Sequence, residues 1–239
     1  MKTAILTLGL LTLALASCGT RVLRPSGPDV TQIRNTGSFT GLDFEVPVKA
    51  EVRIGGTPSV QLIGPKNILD QIRTSVEGSV LHLRFPNHTE LDDNPNLRAV
   101  ITMPQLSSLG ISGTADVNVT GGVSGQTLDI DQSGAGTIRI DGVAVQRLEA
   151  EISGTGELQI GTGTARDASY DIAGAGEVST VGMTSESVSV DMSGAGNIAV
   201  RATRKLYADL SGAGTLRYAG SPADVKTDVS GATRVERLP

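Results

Sequence analysis

Two sets of residues in this 239-residue chain have the types and spacing to do chemistry: a single cysteine and a column of carboxylates. Cys18 is the chain's only cysteine, so no internal disulfide is open to it. It stands at the end of a basic start (Lys2) and an apolar run from Ala4 to Ala16 that closes on small residues. That is the anatomy of a secretory signal, and the run falls short of the about 20 apolar residues a spanning helix needs. The carboxylates are Asp131, Glu151, Asp171, Asp191, Asp209 and Asp228, each two residues before a recurring small-residue turn. Such a column has two uses. Hard oxygen ligands in a row could form a cation-binding stripe for Ca2+, the one cofactor these residues suggest. Alternatively, each carboxylate accepts hydrogen bonds from the serine hydroxyl and amides of its own turn, which is the commoner use of Asp beside a turn and the reading we favour. Two unit charges about 4.8 Å apart in water repel by about 0.9 kcal/mol, so a ladder of them needs some offset. The spacing is not that of the nine-residue calcium repeat.

The remaining candidates are weaker. Residues 86–96 gather His88, Glu90, Asp92 and Asp93 without the twelve-residue spacing of a calcium loop, and read as a solvated acidic loop. His82 alternates with Leu81 and Leu83 and reads as an exposed strand residue. Nothing resembles catalytic machinery. A Ser-Gly-Ala-Gly turn that recurs, without a partnered histidine, is not a nucleophile elbow. Parallel β-helices that cleave polysaccharides use either paired carboxylates or calcium with a basic residue that abstracts a proton, whereas the acids here form a regular column. Sugar-stacking aromatics are few: Tyr170, Tyr207 and Tyr218 are the only tyrosines, and two of them fall at positions expected to face inward. The chain is therefore expected not to be an enzyme, with a polysaccharide lyase or hydrolase as the alternative and a calcium-stiffened spacer as a further one. A net charge of −5 without basic clusters excludes nucleic acid as a partner.

The elements that must position these residues come from a tandem repeat. Turns begin at Ser112, Ser133, Ser153, Ala173, Ser193, Ser211 and Ser230, 18 to 21 residues apart, which signals stacked units too small to bury a core alone. Within each unit the apolar period is two. One residue before the turn stand Ile111, Ile152, Ile172, Met192, Leu210 and Val229, with Gln132 the exception. Five before stand Leu128, Leu148, Ala168, Val188, Leu206 and Val225; five after stand Val117, Ile138, Leu158, Val178, Ile198, Leu216 and Val235. Odd offsets thus face inward and the carboxylate column faces out. The fold class is all-β, a right-handed parallel β-helix with coils of about 20 residues, in which identical offsets stack about 4.8 Å apart and the seven turns span about 29 Å. Turn glycines are expected for positive φ and for their lack of a side chain under such stacking.

The chain divides into a signal peptide (1–17), the cysteine and a Pro-containing tether (18–36), a less regular part (37–105) and the repeat-built helix (106–239). The 37–105 part reads either as opening coils or as an antiparallel cap over the solenoid's end. Its only helical stretch is Asn67–Arg73, with Asn67 as the cap residue.

Two resemblances add to this reading. Leu15-Ala16-Ser17-Cys18 resembles the lipobox of bacterial lipoproteins. This implies cleavage before Cys18, acylation of its thiol and amino terminus, and a membrane partnership through the acyl chains, each buried CH2 contributing about 0.8 kcal/mol. Gly19 in place of Asp implies sorting to the outer membrane, and the lack of an acidic cluster after Cys18 favours the periplasmic side. From about Phe39 to Val235, the Phe39–Phe85 strands, the Asn67-Ile-Leu region, the stretch from Val76 to Leu83 and turns such as Ser193-Gly-Ala-Gly-Asn-Ile198 resemble the auto-transporter adhesin head GIN domain of Bacteroidetes lipoproteins. That resemblance implies a right-handed β-helix and carries over no catalytic residue. The expected function is a lipid-anchored, non-catalytic envelope module with adhesin-like or scaffolding action, its partner an envelope protein or polysaccharide.

Overall fold

A computed structural model describes residues 21–92 and 95–239; Cys18 and Asp93 lie outside them. The backbone winds as a parallel β-solenoid of about six turns. Eighteen strands join in one continuous sheet, so each coil hydrogen-bonds to the next along the whole length.

The period-two pattern accounts for the register. Strands Ala135–Ile152 and Thr155–Ile172 pair in parallel from Ala135↔Thr155 to Ile152↔Ile172. One inward row runs Val117, Ile138, Leu158, Val178, Ile198, Leu216 and Val235, each opposite the next. The first six are buried, and burying each such side chain is worth roughly 1.5–3 kcal/mol. The two rows before the turn are buried as expected through Leu206 and Leu210. Val225 and Val229 are exposed: their strand pairs with Lys205–Leu210 on one side and, among the described residues, with no strand on the other.

The turn glycines divide between the two expected roles: Gly136, Gly214 and Gly231 take positive φ, while others answer to stacking alone. Gly134, Gly154, Gly174, Gly194 and Gly212 do not take positive φ. Each sits directly over the preceding coil: the Gly174 amide donates to the Ile152 carbonyl at 3.2 Å, and a Cβ at Gly174 would overlap the Gly154 carbonyl oxygen. Close backbone approach, not conformation, selects glycine there.

Residues 37–105 turn out to be both opening coils and cap. Strands Gly41–Phe44 and Val48–Ile54 continue the parallel register below Ser108–Ile111 and Thr114–Thr120. Beneath them Val80–Arg84 and Arg98–Met103 pair in parallel as well. The antiparallel strands Ser59–Pro65, Arg73–Glu77 and Asp29–Arg34 then close this end.

Two expectations are corrected here. Residues 21–34 are not a free tether. Arg21–Leu23 pairs with Thr89–Leu91, and Asp29–Arg34 adds to Ser59–Pro65; the β-branched Val30, Thr31 and Ile33 supply strand preference just after Pro28. The helix is a single turn, Lys66–Leu69, capped by Pro65, so Asn67 lies inside it. The Asn67 side chain instead pins the entering chain: its Oδ1 accepts from the Ser26 amide at 3.0 Å and its Nδ2 donates to the Arg24 carbonyl at 2.7 Å.

Candidate functional site

Stacking at fixed offsets turns one column of the repeat into a straight row. On one outer face the lateral order is His82, Asp43, Gly110, Asp131, Glu151, Asp171, Asp191, Asp209, Asp228. The six repeat carboxylates are therefore nearest neighbours in register, all exposed. A second row on the same face, two residues earlier in each strand, runs Val80, Gly41, Ser108, Asp129, Glu149, Ser169, Ser189, Tyr207, Lys226.

Glycines 41 and 110 remove two side chains near one end of this face. The result is a shallow groove of about 520 Å³, with His82 and Asp43 on one side and Asp129, Asp131, Glu149 and Glu151 on the other. Carboxylates stand along its rim, which suits a cationic or hydroxyl-rich ligand.

The expected hydrogen bonding of the ladder carboxylates to their own turns does not occur. Among the described residues none of the six engages its turn's serine or amides through its side chain. The turn amides are already used: those of Ser133 and Gly134 both donate to the Ile111 carbonyl of the previous coil, at 3.0 and 2.9 Å. The side chains stand outward from a flat strand and leave the turn behind.

His82 departs from its expected exposed setting. It is about one-fifth exposed, with Nδ1 3.1 Å from Asp43 Oδ2 and 3.8 Å from Glu45 Oε1. Asp43, Glu45 and His82 form the one trio among the described residues whose donor atoms lie within 4.8 Å of one another. The alternation in Leu42–Val46 places Asp43 and Glu45 on one face, and that much is legible in the sequence. The 39-residue gap to His82 is closed only by the parallel pairing of Gly41–Phe44 with Val80–Arg84.

Among the described residues, the loop of residues 86–96 forms no convergent ligand set. Asp92 forms an ion pair with Arg24 at 2.6 Å, while Thr89–Leu91 serves as a strand for the entering chain. Tyr207, the aromatic residue on the flat face, donates to Asp224 Oδ2 at 2.8 Å and has Lys226 Nζ 5.3 Å from its ring centroid. The Asp224 hydrogen bond, with partial burial and the nearby charge, raises the Tyr207 hydroxyl above its ordinary value. Tyr170 faces the core, as its odd offset requires.

These features define a β-solenoid with a flat, acidic outer face. Residues 38–222 match the family described as "Putative auto-transporter adhesin, head GIN domain", and the chain belongs to that family. Among solved structures it is similar to a "putative adhesin" from Bacteroides fragilis, with 24% identity over 90% of this chain and 100% of the other, at a TM-score of 0.85. A "putative adhesin" from Parabacteroides merdae shares 19% identity over 92% and 100% of the two chains, at 0.69. A "Putative lipid binding protein" from Parabacteroides distasonis also shares 19% over 92% and 100%, at 0.71. No functionally curated protein matches the chain.

Proposed function

We propose that this protein is a non-catalytic, adhesin-like module of the cell envelope, held at a membrane by acylation of Cys18 and binding through its flat acidic face. The observation that carries the reading is the double row of outward side chains, which presents repeated carboxylates over many rungs beside a groove floored by Gly41 and Gly110. A regular lattice of identical groups suits recognition of a repeating envelope polymer or an extended protein surface better than it suits turnover at one point. The family description and the adhesin names of its structural relatives support the same class. The lipobox resemblance at Leu15–Cys18 supports the lipid anchor, Gly19 in place of Asp supports the outer membrane, and the lack of an acidic cluster after Cys18 supports the periplasmic side.

Two measurements test the parts separately. Cys18→Ala is expected to move the protein from the membrane fraction to the soluble fraction; unchanged membrane partition overturns the anchor. Isolated mature domain is expected to bind envelope glycan or protein at micromolar concentration, with weakening by Asp131→Asn and Glu151→Gln together. Turnover of a uronate or neutral glycan, abolished by one Asp substitution, overturns the non-catalytic reading.

A further inference from the structure

The geometry points to a divalent transition-metal site, of the kind that takes Zn2+, formed by Asp43, Glu45 and His82 at the head of the acidic groove. Asp43 and Glu45 lie two residues apart, so both carboxylates leave the same face of the chain. His82 stands directly opposite Asp43 in the neighbouring parallel strand and brings an imidazole nitrogen to the same point. The three side chains are between about one-fifth and two-fifths exposed.

The distances fit coordination. Zn–N and Zn–O bonds of about 2.0–2.2 Å in a tetrahedral site put neighbouring ligand atoms about 3.3 Å apart. Here Nδ1 lies 3.1 Å from one carboxylate oxygen and 3.8 Å from the other.

The local charge balance also asks for a cation. An imidazole offers one hydrogen at Nδ1, and that hydrogen serves one carboxylate, not two. Among the described residues no lysine or arginine forms an ion pair with Asp43 or Glu45. The nearest arginine on the same strand as His82 is Arg84, and it is committed to Glu77 at 2.6 Å. Two carboxylates and a neutral imidazole form a mixed N/O donor set that favours zinc over calcium, which takes six to eight oxygens. Asp43 leans over Gly110, where a side chain would press against its Oδ1, so a fourth ligand could reach the trio from the groove.

The test uses the tag-free mature protein and Zn2+ alone. Calorimetry is expected to show one saturable site, with Asp43→Asn, Glu45→Gln and His82→Ala each weakening it at least tenfold and a large excess of Ca2+ leaving it occupied. The chain has two histidines, so NMR of the wild-type protein reads the site without any variant: the His82 ring signals shift on saturation while those of His88 do not. Absence of saturable binding below millimolar Zn2+, a response at His88 alone, or unchanged affinity in His82→Ala overturns the assignment. Because the readout is metal binding, it stands or falls independently of any glycan or protein partner.

Discussion

The Gln132 side chain fills the space that a side chain at Gly156 would occupy one coil later. Gln132 is fully buried in an otherwise apolar row, its Nε2 donates to the Gly136 carbonyl at 2.8 Å, and a Cβ on Gly156 would overlap its amide. The polar exception in the repeat and the glycine beside it are thus one packing solution spread over two rungs.

That pairing predicts a coupled effect. Gly156→Ala alone is expected to destabilise the fold by roughly 1–3 kcal/mol through overpacking. Gln132→Ala removes the obstruction, so the double variant should lose less than the sum of the two single changes. Denaturant melts of the four proteins measure the cycle, and strict additivity would show that the two side-chain sites do not compete for space.

The turn glycines make a sharper prediction. Gly174→Ala must push apart two coils whose backbones touch, while its φ is already one that alanine adopts. We expect a loss of about 3 kcal/mol or more, since backbone and not a flexible side chain has to move. By contrast, Gly37→Ala meets nothing within 4 Å and should be within about 0.5 kcal/mol of wild type.

Alkaline stability should depend on Tyr170. Its hydroxyl is buried, hydrogen-bonded to Thr180 Oγ1 at 2.8 Å, and burial holds its pKa well above the ordinary value. The folded state therefore keeps this proton where the unfolded chain has released it. Its stabilising contribution is complete below the unfolded value of about 10 and is lost as pH rises from there towards the folded pKa. Chemical melts from pH 8 to 11.5 should show stability falling above pH 10. Tyr170→Phe should flatten that fall while costing about 1 kcal/mol at neutral pH, because Thr180 loses its partner.

The carboxylate ladder predicts a salt effect. Asp171 lies between Glu151 and Asp191 in register, so Asp171→Asn relieves repulsion on both sides. At low ionic strength the variant should be more stable by roughly half a kcal/mol, and the gain should shrink as salt screens the row. If Ca2+ stiffens the ladder instead, chelator will lower the melting temperature of the wild-type protein and Asp171→Asn will abolish that response.

Much of this was readable in the chain. The spacing of the Ser-Gly turns and the odd-offset apolar residues specify a parallel solenoid, because a period of two over coils of equal length buries the same positions on every rung. The outward column of acids follows from the same parity. Other features depend on contacts between distant segments. Asn67 has the type of a helix cap, yet its role is to hold Arg24 and Ser26, because Pro65 already starts the helix and the entering strand passes alongside. The strand Asp29–Arg34 has no long pattern of its own and is stabilised by the edge of Ser59–Pro65.

The sequence by itself determined the repeat, its inward and outward faces and a lone cysteine after a basic start and a short apolar run, since these depend only on local spacing and residue type. The tertiary structure decided that the ladder acids bind neither the serine nor the amides of their own turns, and that His82 meets Asp43 and Glu45. Those outcomes depend on which coil lies beside which, and register between segments 20 to 40 residues apart is set by the packing of the whole solenoid.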